Sequence, residues 1–377
     1  MSKATAAMKV AVIGSGISGA VCASTLARNG VSVTLFESAR GPGGRMSQRS
    51  REISEDGKDL LFDHGAPFFT VSSNSDALTL VHDWESRGVV SEWTPTFGSF
   101  DCTSNKFLGP QQQCVQEGSE KKYVGVPGMN SICRTLCHDP GVESKFGTGI
   151  AKLEWMEEET SWSLEDSNGE NLGSFCGVVA SDKSIASPRF TDLTGRPPPL
   201  NLNLIPELAN RLQDIPVRPC FALMLAFKEP LSLIPTSCIS FKNSEILSWA
   251  HCDSSKPSRS TESERWILHS TPEYANRVVE LTGRRKPSNE TLNKVSERMF
   301  QEFQSSGLVS SQPFFMKAHR WGSAFPVISI AMEERCLWDR KRRLAICGDF
   351  CISPNVEGAI LSGLAAASKL SEISSCL

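Results

Sequence analysis

Apolar residues recur along this 377-residue chain in two rhythms, and both are clearest near its ends. Lys9-Val10-Ala11-Val12-Ile13 is a short β-branched run of the kind that forms a strand buried on both faces. Residues 20–29 are small and apolar at helical spacing, and Gly30 follows as a helix-closing residue. Residues 31–36 alternate as a second strand, which ends on Glu37. Far along the chain, residues 344–347 form another apolar strand; Gly348, Asp349 and a Pro-containing loop follow, then a helix of small residues over 356–367.

The middle of the chain is β-rich. Residues 142–146, 150–156 and 161–165 read as strands, residues 169–173 as a turn and 176–180 as a returning strand. The stretch 187–199 is rich in Pro and Gly and marks a crossing into a second domain. Residues 219–228, 245–251 and 265–270 predict a further sheet, and 272–281 and 288–304 predict helices with polar outer faces. Residues 253–264, rich in Ser and charge, predict a mobile loop. A strand beginning at Pro313 is expected to end at His319-Arg320-Trp321. No internal repeat is present. The chain therefore weaves between two domains: residues 1–75, 127–187 and 335–377 in one, 76–126 and 188–334 in the other.

Composition narrows the function. Hydrophobic residues at 40% and charged residues at 21% support a large core and exclude wholesale disorder. A net charge of −3 lacks the electrostatics of a general nucleic-acid binder. Thirteen Cys suggest a disulfide or metal framework, but no Cys-x-x-Cys occurs and several lie in apolar runs, as do Cys22, Cys220 and Cys347. They read as buried thiols of a reducing compartment, and no metal site is expected; the sole zinc candidate, Cys133/Cys137/His138, lacks a second ligand pair. No apolar run approaches a bilayer span. Residues 1–7 are too short for a transit peptide and carry no apolar core. Ser375-Cys376-Leu377 resembles a peroxisomal tripeptide but lacks its central basic residue, so the expected compartment is the cytoplasm, with the peroxisome as the weaker alternative.

The N-terminal strand runs into Gly14-Ser15-Gly16-Ile17-Ser18-Gly19. Strand, glycine turn, helix, strand and acid within about 30 residues make the full context of a dinucleotide fingerprint. Gly14 permits the tight turn, Gly16 lets the backbone approach a pyrophosphate, and Gly19 lets the helix pack on the strand. The helix N-terminus, with Ile17 and Ser18, offers N–H groups to phosphate. Glu37 is placed for the adenosine ribose hydroxyls and would repel a 2′-phosphate, and Ser38 follows it. A second glycine run, Gly41-Pro42-Gly43-Gly44-Arg45-Met46, can bring the Arg45 guanidinium to the same pyrophosphate. That run resembles the second FAD motif of the amine-oxidase superfamily of flavoproteins; with that cofactor, the helix opening at Val356 and Glu357 would aim N–H groups at the flavin N1–C2=O edge, and Asp349 would take the ribityl chain or a phosphate-bound water. A backbone group near Gly149 or Ile150 would face the adenine.

The two glycine motifs and the Gly348-Asp349 to Glu357-Gly358-Ala359 segment resemble the amine-oxidase superfamily of flavoproteins. With Asp63-His64-Gly65-Ala66, Val126-Pro127-Gly128-Met129, Pro272-Glu273-Tyr274 and His319-Arg320-Trp321, the chain more narrowly resembles the renalase-like FAD-dependent oxidoreductases, over nearly its whole length. That resemblance implies an α/β architecture: a Rossmann-like FAD-binding domain with an interwoven α+β substrate domain, like p-hydroxybenzoate hydroxylase. It implies an enzyme that takes a hydride from a small donor, a dihydro-nicotinamide isomer, and passes electrons to oxygen or another acceptor. The family pattern after Gly-Ala is Gln-Tyr; here Pro67-Phe68 removes an amide and a phenol, a change able to alter substrate choice. His319 and Trp321 are the candidate walls for a flat donor. No Cys is placed to bond a flavin, so noncovalent FAD is expected. An amine oxidase or desaturase-type flavoenzyme, and a FAD-binding regulatory protein without catalysis, remain alternatives.

Overall fold

The computed structural model describes residues 8–53, 59–73, 75–110, 121–212 and 215–374. The 1–7 leader, Cys114 and the 375–377 tripeptide lie outside the described residues. Two compact units are present: Met1–Gly44, Asn130–Pro216 and Pro326–Leu377 form one, Arg45–Met129 and Val217–Phe325 the other.

The first unit is built on a six-stranded sheet. Its order is Val142–Phe146, Ser32–Glu37, Lys9–Ile13, Gly177–Ala180, Leu344–Ile346 and Leu337–Asp339. The first five strands are parallel and the last is antiparallel. Parallel strands covered on both faces must be apolar throughout, which is why Val10, Ala11 and Val12 are all fully buried. One face, through Ala11, Phe36, Val178, Leu344 and Ile346, packs on a three-stranded antiparallel sheet of Ile150–Met156, Ser161–Asp166 and Asn171–Phe175. Trp155 and Trp162 fill that interface, edge to face with centroids 5.4 Å apart. Helices Ile17–Arg28 and Val356–Ser374 pack on each other beside the sheet. A Cβ on Gly363 would collide with the Ser18 carbonyl, so glycine is what allows the helices to approach.

The second unit carries a seven-stranded mixed sheet ordered Phe315–Pro326, Val217–Phe227, Glu264–Ser270, Leu247–Cys252, Cys238–Lys242, Phe97–Asp101 and Lys106–Pro110. Helices Pro272–Thr282 and Asn289–Ser305 bury Tyr274, Met299, Phe300 and Phe303 against Phe221, Leu223, Leu225 and Trp266. The helices start where the sequence caps them: Thr271 and Ser288 accept hydrogen bonds from Tyr274 N and Thr291 N. On the other sheet face Ala222, Met224, Ala226 and Ile267 meet Leu60 and Phe62.

Several expectations are corrected. Residues 45–75 fall in the second unit, because Leu60 and Phe62 complete its core. Residues 188–216 stay in the first, where Leu200, Ile205 and Leu212 are buried. The expected 187–199 crossing instead contains the helix Pro188–Thr194, capped by the Ser187 hydroxyl. The expected 169–173 turn gives way to the strand Asn171–Phe175, with Gly173 at φ 108° beside a register shift in its pairing. The strand thought to end at Trp321 continues to Pro326. The predicted mobile loop 253–264 is anchored: Asp253, Lys256, Arg259 and Ser263 are buried. Among the described residues no helix is long and apolar enough to cross a membrane.

Candidate functional site

In the first unit, three parallel strands end side by side, and the turns that follow them gather the predicted nucleotide residues. Lys9–Ile13 leads into Gly14, Gly177–Ala180 into Ser181, and Leu344–Ile346 into Gly348 and Asp349. Gly14 adopts φ 98°, a conformation open to glycine, and the Ser181 hydroxyl lies 2.9 Å from Ile13 O and 3.0 Å from Gly14 O. A Cβ on Gly19 would collide with the Gly14 carbonyl. A Cβ on Gly16 would meet no atom within 4 Å. The two glycines thus differ: Gly19 is required by packing within the chain, whereas Gly16 opens outward at the N-cap of helix Ile17–Arg28.

Glu37 closes this loop from the neighbouring strand. Its Oε2 accepts from Ser15 N at 2.9 Å and from the Ser15 hydroxyl at 2.7 Å, and its Oε1 from Ala39 N at 2.7 Å and the Ser38 hydroxyl at 3.2 Å. The carboxylate is oriented by four donors, two of them hydroxyls able to turn away. The second glycine run joins the first. Gly43 donates to Ser15 O at 3.0 Å, and a Cβ on Gly44, at φ 53°, would lie 3.3 Å from Gly16 Cα. Thr148 N donates to Glu37 O, which brings the Gly149-Ile150 backbone beside Ser38. Ile17, Ser18 and Ile150 are themselves buried.

At the C-terminal side Gly348 N donates to the Ser362 hydroxyl at 3.0 Å and Asp349 is buried at the start of a short helix. The helix at Val356 and Glu357 has a cap not foreseen: the Asn355 carboxamide accepts from Gly358 N at 2.7 Å, so that N–H is engaged. The signal was present, an Asn one residue before the helix.

The second unit holds the remaining candidates. Arg45 and Met46 are its first two residues, and Met46 is buried. His319 and Trp321 share a strand and touch the same ring: His64 is 4.8 Å from His319 and 4.9 Å from Trp321, centroid to centroid. The Trp321 indole donates to His64 O at 3.0 Å, and His269 Nε2 lies 3.2 Å from that oxygen. Further along the sheet Phe68 packs on Trp93 and Phe97, and Phe97 on Trp249. Four of the six His in the chain therefore lie among rings at this face, since His251 is 6.1 Å from His269. Burial drives protonation of two of them down, His269 to about 4 and His251 well below the ordinary value, with the Lys256 charge adding to both.

Asp63 and His64 have separate surroundings: Asp63 meets Lys256 and Arg259, and the His64 ring meets His319 and Trp321. Sequence reasoning missed what Asp63 does: it binds Lys256 and Arg259, both from the loop expected to be mobile. All eleven described Cys are free, and burial pushes the Cys22 and Cys133 thiols up. Among the described residues no cluster of His, Cys, Asp and Glu could hold a metal ion, Cys133 and Cys137 included.

The architecture is that of a two-domain FAD-dependent oxidoreductase, with a Rossmann-like nucleotide-binding part. Residues 72–371 match the flavin containing amine oxidoreductase family, and the chain belongs to it. Residues 12–84 match an NAD(P)-binding Rossmann-like domain. Similar solved structures include a protein assigned as a protoporphyrinogen oxidase from Exiguobacterium sp. 255-15, with TM-score 0.68, 11% identity and 100% of each chain covered. A triple mutant of putrescine oxidase gives TM-score 0.66 at 12% identity, covering 98% of this chain and 99% of the other. An oxidoreductase from Methanosarcina mazei gives 0.64 at 12%, covering 95% and 99%. At such identity these likenesses speak to the fold. Family membership makes the chain a FAD-dependent oxidoreductase, one that takes electrons from a donor and gives them to an acceptor such as oxygen.

Proposed function

We propose that this enzyme takes a hydride from a small, flat donor, a dihydro-nicotinamide isomer, onto noncovalently held FAD, with oxygen or another acceptor restoring the cofactor. The observation that carries the cofactor assignment is Gly16: the chain is built tightly around Gly14 and Gly19 but leaves the Gly16 backbone open where a pyrophosphate would lie. FAD supplies the redox chemistry, accepting two electrons and a proton equivalent as hydride.

The chain's own residues bind and orient. Gly14, Gly16, Ile17, Ser18 and Gly19 present the turn and helix N-terminus to phosphate. Glu37 takes the ribose hydroxyls, for which the Ser15 and Ser38 hydroxyls can give way. Gly44, Arg45 and Met46 form the second phosphate-binding run, and the guanidinium supplies charge. The Ile150 backbone meets the adenine; Gly348 and Asp349 hold the ribityl chain, and the helix at Val356 and Glu357 stabilises negative charge. His319 and Trp321 form the wall for the donor. A donor already bearing a transferable hydride needs no catalytic base.

The family description and the likeness to putrescine oxidase support a second reading, an amine donor. Aromatic faces such as those of Phe68, Phe97 and Trp249 suit a cation as well as a flat ring. An anaerobic reduction screen separates the two. Purified yellow protein is mixed with isomers of NAD(P)H and, separately, with putrescine and other amines, while the flavin band is followed. Bleaching by the isomers alone is the expected result. Bleaching by amines alone would replace the donor proposed here, and a flavin that no donor bleaches would point to a protein that binds FAD without turning over.

A further inference from the structure

We infer that four buried charges in the second unit, Asp63, Asp253, Lys256 and Arg259, are positioning residues for this oxidation: they fix the turn Asp63-His64-Gly65-Ala66, and the His64 ring in turn sets His319 and Trp321. The inference rests on the reading above in one respect, that His319 and Trp321 meet the donor.

The cluster joins segments far apart in sequence. Lys256 Nζ lies 3.1 Å from Asp63 Oδ2 and 2.6 Å from Asp253 Oδ1. Arg259 Nη2 lies 2.5 Å from Asp63 Oδ2, and Arg259 Nε 3.9 Å from Asp253 Oδ2. Asp63 Oδ1 accepts from Met129 N at 2.9 Å. Side chains of all four residues are at most 1% exposed. Two acids and two bases make the group neutral, yet removing them from water is costly, and apolar residues of like volume would hold a core at least as well. What the charges add is direction: three donors converge on the two oxygens of Asp63, so the backbone at 63 has one place to be.

The residues after Asp63 transmit that placement. His64 turns its ring onto His319 and Trp321, and its carbonyl is held by the Trp321 indole and His269. Gly65 passes so close to the Arg45 carbonyl that a Cβ would collide with it, and Ala66 N donates to the same oxygen at 3.0 Å. One short turn, clamped by ions on one side, therefore holds the two candidate wall residues and the Arg45 backbone. The ammonium of Lys256 also sits 5.8 Å from the Trp93 ring, beside Phe68, which extends the clamp toward the other aromatic residues of the unit.

Two variants test this on the FAD-loaded enzyme. Asp63→Asn keeps the shape and removes one charge. Asp253→Asn with Lys256→Met removes one charge of each sign and leaves the Asp63 and Arg259 pair. Each is reduced with dithionite, a small reductant that needs no donor site, and with the NAD(P)H isomer that bleaches the wild type. The expected result is wild-type FAD content and dithionite reduction, with KM for the isomer raised at least about tenfold in Asp63→Asn and kcat changed less. If Asp63→Asn does not fold, the double variant decides on the same criterion. KM and kcat both within about twofold of wild type in a folded variant would overturn the inference, and so would failure of both variants to fold, which would make the cluster a stability element. A wild type that holds no FAD, or that no isomer bleaches, overturns the functional reading and this inference with it, and is told apart from the other outcomes by the wild-type measurement alone.

Discussion

Gly16 and Gly19 stand three residues apart in one motif, yet they answer to different demands. Gly16 has φ −64° and ψ 171°, extended backbone that any residue adopts, and its side-chain direction meets nothing within 4 Å. Gly19 has the Gly14 carbonyl where a Cβ would go. Gly16→Trp should then fold with a loss under about 0.5 kcal/mol and come off the column colourless. Gly19→Val should lose about 1–3 kcal/mol from overpacking and lose FAD as a consequence. Thermal melts and the 450 nm flavin band measured side by side check both; yellow Gly16→Trp protein would refute the phosphate assignment. The packing demand on Gly19 was legible in the sequence because the Gly14 carbonyl that makes it lies within a few residues. The Asn355 cap was equally local. Asp63 was not legible: its partners are almost two hundred residues away, and nothing in Asp63-His64-Gly65 tells that a lysine and an arginine will arrive there.

At the scale of elements, the helix Val356–Ser374 owes its place to small residues. Gly363→Leu would drive a side chain into the Ser18 carbonyl of the glycine-turn helix, costing about 1–3 kcal/mol and lowering FAD occupancy, since that helix carries the turn we propose for the phosphates. Ser288→Ala removes the cap of Asn289–Ser305 and should cost about 1 kcal/mol with FAD occupancy unchanged. Denaturant unfolding and flavin content together separate the two cases. Periodicity found the parallel strands and the helix Asn289–Ser305 nearly to the residue, because each is apolar in a pattern one geometry satisfies, but it stopped the helix Val356–Ser374 at residue 367. It failed where polarity was read as exposure. Residues 253–264 look like a solvated loop until Asp253, Lys256 and Arg259 are seen to neutralise Asp63 and one another. It failed too at 169–173, where Gly173 serves a bulge inside a strand instead of ending one.

At the scale of the whole molecule, pH exposes what burial has done to the imidazoles. His269 is held at about 4, against an ordinary 6.5. Below pH 6.5 the unfolded chain takes up a proton there that the folded chain refuses until about pH 4, so stability is full at neutral pH and falls as pH drops through that window. The loss is on the order of 3 kcal/mol for this one group, and His251, shifted the same way, adds to it. Urea midpoints at pH 7 and 4.5 should show the drop, and His269→Phe should flatten it; an unchanged slope would sink the assignment. By itself the sequence determined the nucleotide-binding strand, turn and helix, the acid after them, and a chain that returns to the same sheet at its far end, because each signal is a short-range consequence of backbone geometry. Only the tertiary structure decided where the chain passes from unit to unit, that four of six His gather at one sheet face, and that a charged loop becomes a buried clamp. Those outcomes depend on charges and rings meeting across large sequence separations, where the stability of each group is set by partners that no local pattern names.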